Sequence, residues 1–340
     1  MQNTAFLFII SLFALTSCQN TGNVDPIVED TTLATSNIKT PTITELSTKI
    51  KANNSDPNLY YDRAQAYLAT NNAREAAKDL FKALDIDSTQ ARLYLSLADI
   101  YLGAGEIDRA MFLLQKGLRL NPKNVGLELQ LGQYYFYLQK YQESINHINN
   151  ALLIDIFKPQ AYFLKGLNFK ELGDTTKALS SFVTAVEQDP KYIDAYMQIG
   201  LLYAAQKNEL AIDYFENAIK LNPKNMNAMY AKAKFYQDTK QFNKAIKSYK
   251  AIIPISRQNQ SVFYNLGAIY YGLDSIEKAR KNFNFAVKVD PTYSAAYSAL
   301  GACAEVKGEN EKAIKYFKQA LRMDENNPIA IAGIERLENK

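Results

Sequence analysis

Small, aromatic and proline residues recur along most of the chain at a spacing of 34 residues. Units begin at positions 57, 91, 125, 159, 193, 226, 260, 294 and 328, and only the step from 193 to 226 is 33 residues. The eighth position is Gly or Ala in all eight complete units: Ala64, Ala98, Gly132, Gly166, Gly200, Ala233, Gly267 and Gly301. A missing side chain lets two helices cross closely, where a bulky one would overpack by about 1–3 kcal/mol.

Other positions of the unit follow the same register. Position 11 is aromatic in the first seven units, and position 20 is Ala or Ser in all eight once a one-residue deletion in the fifth unit places Ala211 there. Several units end in Asn-Pro or Asp-Pro, and the residue before a proline avoids the helical region. The pattern therefore predicts two helices in each unit over 57–327 and one more helix over 328–340.

Two units depart from this register. The fifth has lost one residue, which we place around Gln206, Lys207 and Asn208. The sixth carries Pro254 inside its second helix, which should end that helix early because proline has no N–H. We expect a local irregularity over 206–260.

This register is similar to the tetratricopeptide repeat, and the similarity covers 57–327. The resemblance implies an all-α fold, a right-handed superhelical solenoid of eight helix-turn-helix repeats whose apolar faces are buried between neighbours. Residues 328–340 would form a polar C-terminal capping helix, with Glu335 at the position that is small elsewhere.

By the same resemblance, the first helices of the repeats line a concave groove. The candidate groove residues are mostly apolar or aromatic, with a few amides and one lysine: Tyr61, Leu95, Leu129, Gln133, Phe136, Phe163, Met197, Tyr230, Lys234, Tyr264, Asn265 and Tyr271. Aromatic anchors beside hydrogen-bonding amides suit a peptide. The alternative is that many of these side chains fill the seam between neighbouring first helices.

The first eighteen residues resemble the signal sequence of a bacterial lipoprotein. The apolar run over 5–15 is too short to span a bilayer, and Leu15, Thr16 and Ser17 precede Cys18 as in a lipobox. This predicts a signal peptide over 1–17 and lipidation of Cys18, although the first four residues lack Lys and Arg. An ordinary secretory signal or a buried helix is the alternative.

Residues 18–56 are predicted to hold the lipidated cysteine, a flexible tether and one short helix. The tether is rich in Ser, Thr and Asn, a composition typical of disorder. Thr42 and Glu45 fit a capping box, and Ile43, Leu46 and Ile50 share one helical face. The short helix is therefore predicted over 42–52.

The sixth repeat is unusually basic, with seven Lys or Arg residues against one acid. Its lysines predict a basic patch for an acidic partner or an anionic headgroup: Lys240, Lys244, Lys247 and Lys250. The alternative is a solvated lysine face with no partner.

Composition removes most chemistry from consideration. Apolar residues make up 47% and charged residues 22% of the chain, and the net charge of +4 does not call for nucleic acid. The single histidine, His147, excludes sites that need two, and two cysteines exclude a disulfide scaffold. We expect no catalytic residues, metal, cofactor or nucleic-acid partner, with His147 structural and Cys303 a small apolar residue.

The sequence favours a membrane-anchored lipoprotein scaffold that binds protein or peptide partners during complex assembly. Its expected location is the bacterial cell envelope, at the outer membrane facing the periplasm. One alternative is an intracellular co-chaperone-like or regulatory repeat protein, although the Lys, Asn and Arg clamp of such proteins is absent. A repeat scaffold for carbohydrate binding is the other alternative.

Overall fold

The computed structural model describes residues 41–338, and within that range every regular element is a helix. The eighteen helices are α1 Ile43–Ala52, α2 Pro57–Ala69, α3 Ala73–Ile86, α4 Ala91–Gly103, α5 Ile107–Leu120, α6 Val125–Tyr137, α7 Tyr141–Ile154, α8 Pro159–Glu171, α9 Thr175–Gln188, α10 Ile193–Ala205, α11 Leu210–Leu221, α12 Met226–Asp238, α13 Phe242–Ile252, α14 Gln260–Gly272, α15 Ile276–Val289, α16 Ser294–Val306, α17 Asn310–Met323 and α18 Pro328–Glu338. The predicted all-α repeat fold is confirmed. The predicted signal peptide, Cys18 and most of the tether lie outside the described residues.

Over the described residues, the helices group into two compact units, 41–168 and 169–338. In the first unit, α2–α3, α4–α5 and α6–α7 form helix pairs, with α1 packed on α2. In the second unit, α10–α11, α12–α13, α14–α15 and α16–α17 form pairs, and α18 packs on α17. The fourth repeat, α8 and α9, straddles the division. Seven of the described second helices also pack against the next first helix, as the repeat pattern predicts: α3, α5, α9, α11, α13, α15 and α17.

One hydrogen-bonded turn joins the two helices of every repeat. Position 15 has a positive φ between 54° and 78° throughout: Asn71, Gly105, Gln139, Gly173, Lys207, Lys240, Asp274 and Gly308. The following N–H reaches back to the carbonyl of position 11, for example from Glu106 to Tyr101 at 2.8 Å. This Schellman geometry satisfies carbonyls that the end of a helix leaves without partners.

The fifth repeat keeps this turn intact, which corrects our placement of its missing residue. Asn208 N donates to Tyr203 O at 3.0 Å, as in the other repeats. The shortening falls at the start of α11, which has 12 residues and begins at Leu210. Pro254 has the predicted effect, because α13 ends at Ile252 after 11 residues. The other described second helices have 14 residues.

The small residue at position 8 faces a large side chain from the second helix of its own repeat. A Cβ built on Gly267 would lie 2.6 Å from the Phe283 ring, and one on Gly301 would lie 2.5 Å from the Phe317 ring. The close crossing predicted from the sequence is therefore present. In α18 the corresponding close approach is at Gly333, where an added Cβ would collide with the same Phe317 ring, while Glu335 is exposed.

The short helix α1 begins with the predicted capping box and is tied to the first repeat. Thr42 accepts from Glu45 N, and Glu45 accepts from Thr42 N at 2.7 Å. Arg63 of α2 donates to Asp79 of α3 with two bonds of 2.7 Å and to Ser47 of α1 at 2.9 Å. One guanidinium therefore joins three helices, and the Asp79 bond raises the pKa of Arg63.

Candidate peptide-binding groove

In the first unit, side chains of neighbouring first helices meet across the predicted groove surface. Arg92 of α4 lies over the ring of Tyr61 of α2, with 4.3 Å from guanidinium carbon to ring centroid. Gln65 Nε2 donates to Ser96 Oγ at 3.4 Å. Tyr61 and Leu95 are half-buried and leave part of their surfaces to solvent. These side chains offer an aromatic and amide surface of the kind that binds peptides.

A carboxyl group lies further along the same surface. Gln130 of α6 donates to Asp99 of α4. Asp99 is exposed as a residue, yet the protein around its carboxyl partly desolvates it and raises its pKa to about 6. The hydrogen bond from Gln130 opposes this rise. Desolvation therefore makes Asp99 a weaker acid than a fully solvated aspartate, on a surface that also carries Arg92.

Three groove candidates of the first unit are almost wholly enclosed. Leu129 is 7%, Gln133 2% and Phe163 8% exposed. Gln133 donates to the Tyr137 hydroxyl at 2.8 Å, and the half-buried Phe136 ring lies 6.2 Å from the Tyr137 ring. The enclosed side chains support the helices, so Tyr61, Leu95, Phe136 and Asp99 offer the accessible part of this surface.

In the second unit, Tyr230 and Asn265 are held together by a hydrogen bond. Asn265 Nδ2 on α14 donates to the Tyr230 hydroxyl on α12 at 2.6 Å. Behind them, the Tyr249 ring meets the Tyr230 ring edge-on at 5.6 Å, and its hydroxyl donates to Gln237 at 2.8 Å. Tyr249 is fully buried, whereas Tyr230, Gln237 and Asn265 are half-buried. An amide and a phenol are thus fixed on the surface at a defined spacing.

The remaining aromatic candidates of this unit differ in accessibility. Tyr264 packs between Phe283 and Tyr293 at centroid distances of 5.6 and 5.4 Å, and burial raises the pKa of its phenol. Desolvation raises the pKa of Tyr271 to about 12. Met197 is half-buried against the cluster around Phe215. Tyr264 therefore packs mainly against the second helix of its own repeat and against the loop before α16.

An ion pair that sequence reasoning did not select joins α16 and α18. Arg336 donates to both Glu305 oxygens, at 3.2 and 2.9 Å, and the Glu305 bond raises the pKa of Arg336. The two residues occupy groove positions 9 and 12 of successive first helices. The sequence could have indicated this ion pair through the opposite charges at those two positions.

The predicted basic patch faces solvent. Lys240, Lys244, Lys247 and Lys250 are all exposed, and the Lys244 ammonium lies 5.3 Å from the centre of the Tyr236 ring. Lys234, the groove lysine, forms an ion pair with Asp238 one helical turn later. Its charge is therefore largely balanced within α12.

The cysteine within the described residues is enclosed. Cys303 is fully buried, and desolvation raises the pKa of its thiol to about 12, far from reactive thiolate character.

Over residues 41–338 no group of three or more His, Cys, Asp or Glu residues is placed to bind a metal ion. None of the described helices combines the length and apolarity needed to cross a membrane.

Comparison with protein families identifies the repeat. Four models of the tetratricopeptide repeat match residues 36–93, 159–192, 202–268 and 264–328. The chain is a tetratricopeptide-repeat protein. A further model, that of anaphase-promoting complex subunit 3, matches residues 82–151.

Relatives and solved structures agree with this family. The chain is 26% identical to the BBSome complex member BBS4 of Bos taurus over 184 residues, which is 53% of this chain and 35% of that protein. Eight curated relatives, that protein among them, are matched over only 4% to 37% of their own lengths.

Two solved repeat proteins show the same fold. The tetratricopeptide-repeat protein from Parabacteroides merdae has a TM-score of 0.51 at 20% identity, covering 73% of this chain and 99% of that one. The C-terminal part of a repeat protein from Cytophaga hutchinsonii has a TM-score of 0.52 at 20% identity, covering 66% and 93%. At this identity the likeness concerns the fold alone.

Proposed function

We propose that this tetratricopeptide-repeat protein is a membrane-anchored lipoprotein scaffold of the bacterial cell envelope that binds peptide segments of partner proteins on its first helices. The observation that carries the proposal is the Tyr230–Asn265 hydrogen bond, which fixes a phenol and an amide on the groove surface. Accessible aromatic rings supply apolar contact, and amides pair with the polar groups of a peptide backbone. The protein has no enzymatic role in this proposal.

The membrane part of the proposal rests on the sequence around Cys18. The apolar run and the Leu-Thr-Ser-Cys sequence fit a lipoprotein signal, and several acyl chains on one residue anchor more firmly than a single chain. The residues up to 56 then separate the repeats from the bilayer. Outer-membrane attachment facing the periplasm is part of the same proposal.

Peptide binding is tested by blocking the surface without opening a cavity. Ala268 and Ala302 are half-buried residues at groove position 9 of α14 and α16. Ala268→Arg with Ala302→Arg places two long charged side chains on the surface, and Lys315→Ala with Lys318→Ala changes exposed residues of α17 as a control. Partners crosslinked in intact membranes and identified by mass spectrometry should be lost from the first variant and kept by the second. Partners that survive both changes would exclude this groove.

Anchoring is tested separately by detergent-phase partitioning of the expressed chain. Wild type should enter the detergent phase with its N-terminus at a modified Cys18, whereas Cys18→Ala should enter the aqueous phase. Wild-type protein that stays aqueous and retains Met1 would refute the lipoprotein proposal while leaving the groove proposal standing.

A further inference from the structure

A cleft of about 920 Å³ lies beside the C-terminus of α13, entirely within the second unit. Its lining comes from the loop after α13 and from α14 and α15: Ile253, Arg257, Gln258, Gln260, Phe263, Asn282, Phe285, Lys288 and Val289. The volume lies within the 300–1,000 Å³ typical of ligand pockets. None of these residues is among the candidate groove residues, so the cleft is a separate surface.

The apolar part of the cleft is aromatic and partly open to solvent. The Phe263 and Phe285 rings lie 5.4 Å apart at 34°, and Phe285 is 40% exposed. In the second repeat, the residue equivalent to Phe263 is Tyr94, whose hydroxyl donates to Ser88 O at 2.9 Å and joins the helix to the preceding loop. Phe263 has no hydroxyl with which to make this bond.

Pro254 also changes the loop above these rings. Residues 253–255 form a turn in place of the last helical turn, with Ile255 N donating to Ile252 O at 3.0 Å. Ile255 is 40% exposed as a result of its place in this turn. The altered loop of the sixth repeat therefore lines the same cleft as the exposed Phe285 ring and the half-buried Phe263 ring.

The charged groups of the cleft are all basic. Arg257 and Lys288 belong to the lining, which contains no carboxylate. Neither forms an ion pair with any described residue. A second depression continues from Phe285 and Lys288 to Arg280 and Lys281, and its Glu277 is paired with Arg280 at 3.1 Å. The uncompensated charge is positive, so the complementary occupant is an anion.

Three side-chain amides in the lining favour one kind of anionic ligand over another. Gln258, Gln260 and Asn282 belong to the same lining as the aromatic pair and the basic residues. Asn282 donates through Nδ2 to Lys278 O at 2.8 Å, which directs its carbonyl oxygen to other donors. A side-chain amide both donates and accepts, as a peptide backbone does, whereas a phosphate group offers mainly acceptors.

We propose that this cleft binds an acidic peptide of a partner protein, with an aromatic or aliphatic side chain seated against Phe263 and Phe285. The peptide's carboxylates pair with Arg257 and Lys288, and its backbone bonds to the amides. This second site operates in addition to the groove and does not depend on it.

The test uses the full-length chain and a phage-displayed library of random 12-residue peptides. Selection should enrich peptides with two or more acids next to an aromatic or aliphatic residue. A fluorescein-labelled copy of the enriched peptide should bind Arg257→Ala/Lys288→Ala with an affinity lower by about tenfold or more, because charge-assisted hydrogen bonds are lost. Phe285→Ala tests the apolar contact and should also weaken binding.

The matched control is Lys315→Ala/Lys318→Ala, which removes two exposed positive charges from α17 and should leave affinity unchanged. Enrichment of peptides without acids, equal affinity for the cleft and control variants, or no enrichment at all would overturn the proposal. Vesicles containing phosphatidylglycerol provide the last arm. Binding to them that is lost in the cleft variant alone, without peptide enrichment, would assign the cleft to a lipid headgroup and overturn the peptide proposal.

Discussion

His147 Nδ1 lies 2.6 Å from Oε2 of Glu128, between the two helices of the third repeat. Glu128 is only 5% exposed and occupies position 4, which is aromatic in six of the seven other repeats. The His147 ring stacks on Tyr135, 5.2 Å between centroids and 10° between planes. A polar pair thus replaces the usual aromatic contact, which explains the single histidine as structural.

Removing one member of this pair should lower the free energy of unfolding more than replacing both members with apolar residues. His147→Ala leaves a buried carboxyl without its partner, and we expect a loss of about 3 kcal/mol in the free energy of unfolding. Glu128→Met with His147→Leu fills the same space with apolar atoms and should recover most of that loss. Urea denaturation measures the free energy of unfolding of both variants, and a double variant no more stable than His147→Ala would contradict this prediction.

The close contact between Gly267 and Phe283 predicts that enlarging Gly267 lowers stability and that a smaller residue at position 283 restores it. Gly267→Ala places a methyl group 2.6 Å from the ring, and we expect a net loss of about 1 kcal/mol after the better helix propensity of alanine is counted. Phe283→Leu in that background should restore stability, since the first repeat pairs Ala64 with Leu80.

Gly272, at the end of the same helix, is the control for that substitution. No neighbouring atom lies within 4 Å of a Cβ built there. Gly272→Ala should therefore not lower the thermal midpoint, and an equal decrease at both glycines would remove the ring contact as the cause.

Some turns between helices place non-glycine residues in the left-handed region of backbone conformation, which such residues disfavour. Gln139 and Lys207 have φ of 58° and 54°, where a side chain costs about 1–2 kcal/mol. Gln139→Gly and Lys207→Gly should each raise stability by about 0.5–1 kcal/mol, because part of the gain offsets the greater freedom of unfolded glycine. The reverse change, Gly105→Ala, should lower it. Thermal midpoints compare the three variants, and no difference among them would refute the argument.

Asp99 gives the first unit a predicted pH dependence. Its pKa rises from 3.8 to about 6, so the folded state binds the proton more tightly than the unfolded state. The contribution of Asp99 to stability therefore falls as the pH rises from about 4 to above 6, and it recovers on acidification.

Asp99→Asn should remove that part of the pH dependence while keeping an oxygen that accepts from Gln130. The variant should gain stability over wild type at pH 8 and much less at pH 4. Denaturation at both pH values measures the difference, and NMR titration of the Asp99 carboxyl gives its pKa directly. A pKa near 4 would contradict the prediction.

The sequence alone determined the helices and their register, because each repeat carries its own local signals. Small residues mark the close crossings, and Pro254 shortened α13 as predicted. Thr42 and Glu45 began α1 with a capping box. These features depend on neighbours in sequence or on contacts within one repeat, and a repeat pattern fixes both.

The tertiary structure decided which of the candidate residues are accessible. Gln133 and Phe163 occupy groove positions in the sequence but are enclosed, whereas Asp99 is exposed. The Glu305–Arg336 ion pair forms only because α16 and α18 lie side by side. The cleft of Phe263, Phe285 and Arg257 draws on three separate elements. Burial and charge balance arise from the summed surroundings of a side chain, and those surroundings exist only once the repeats have packed.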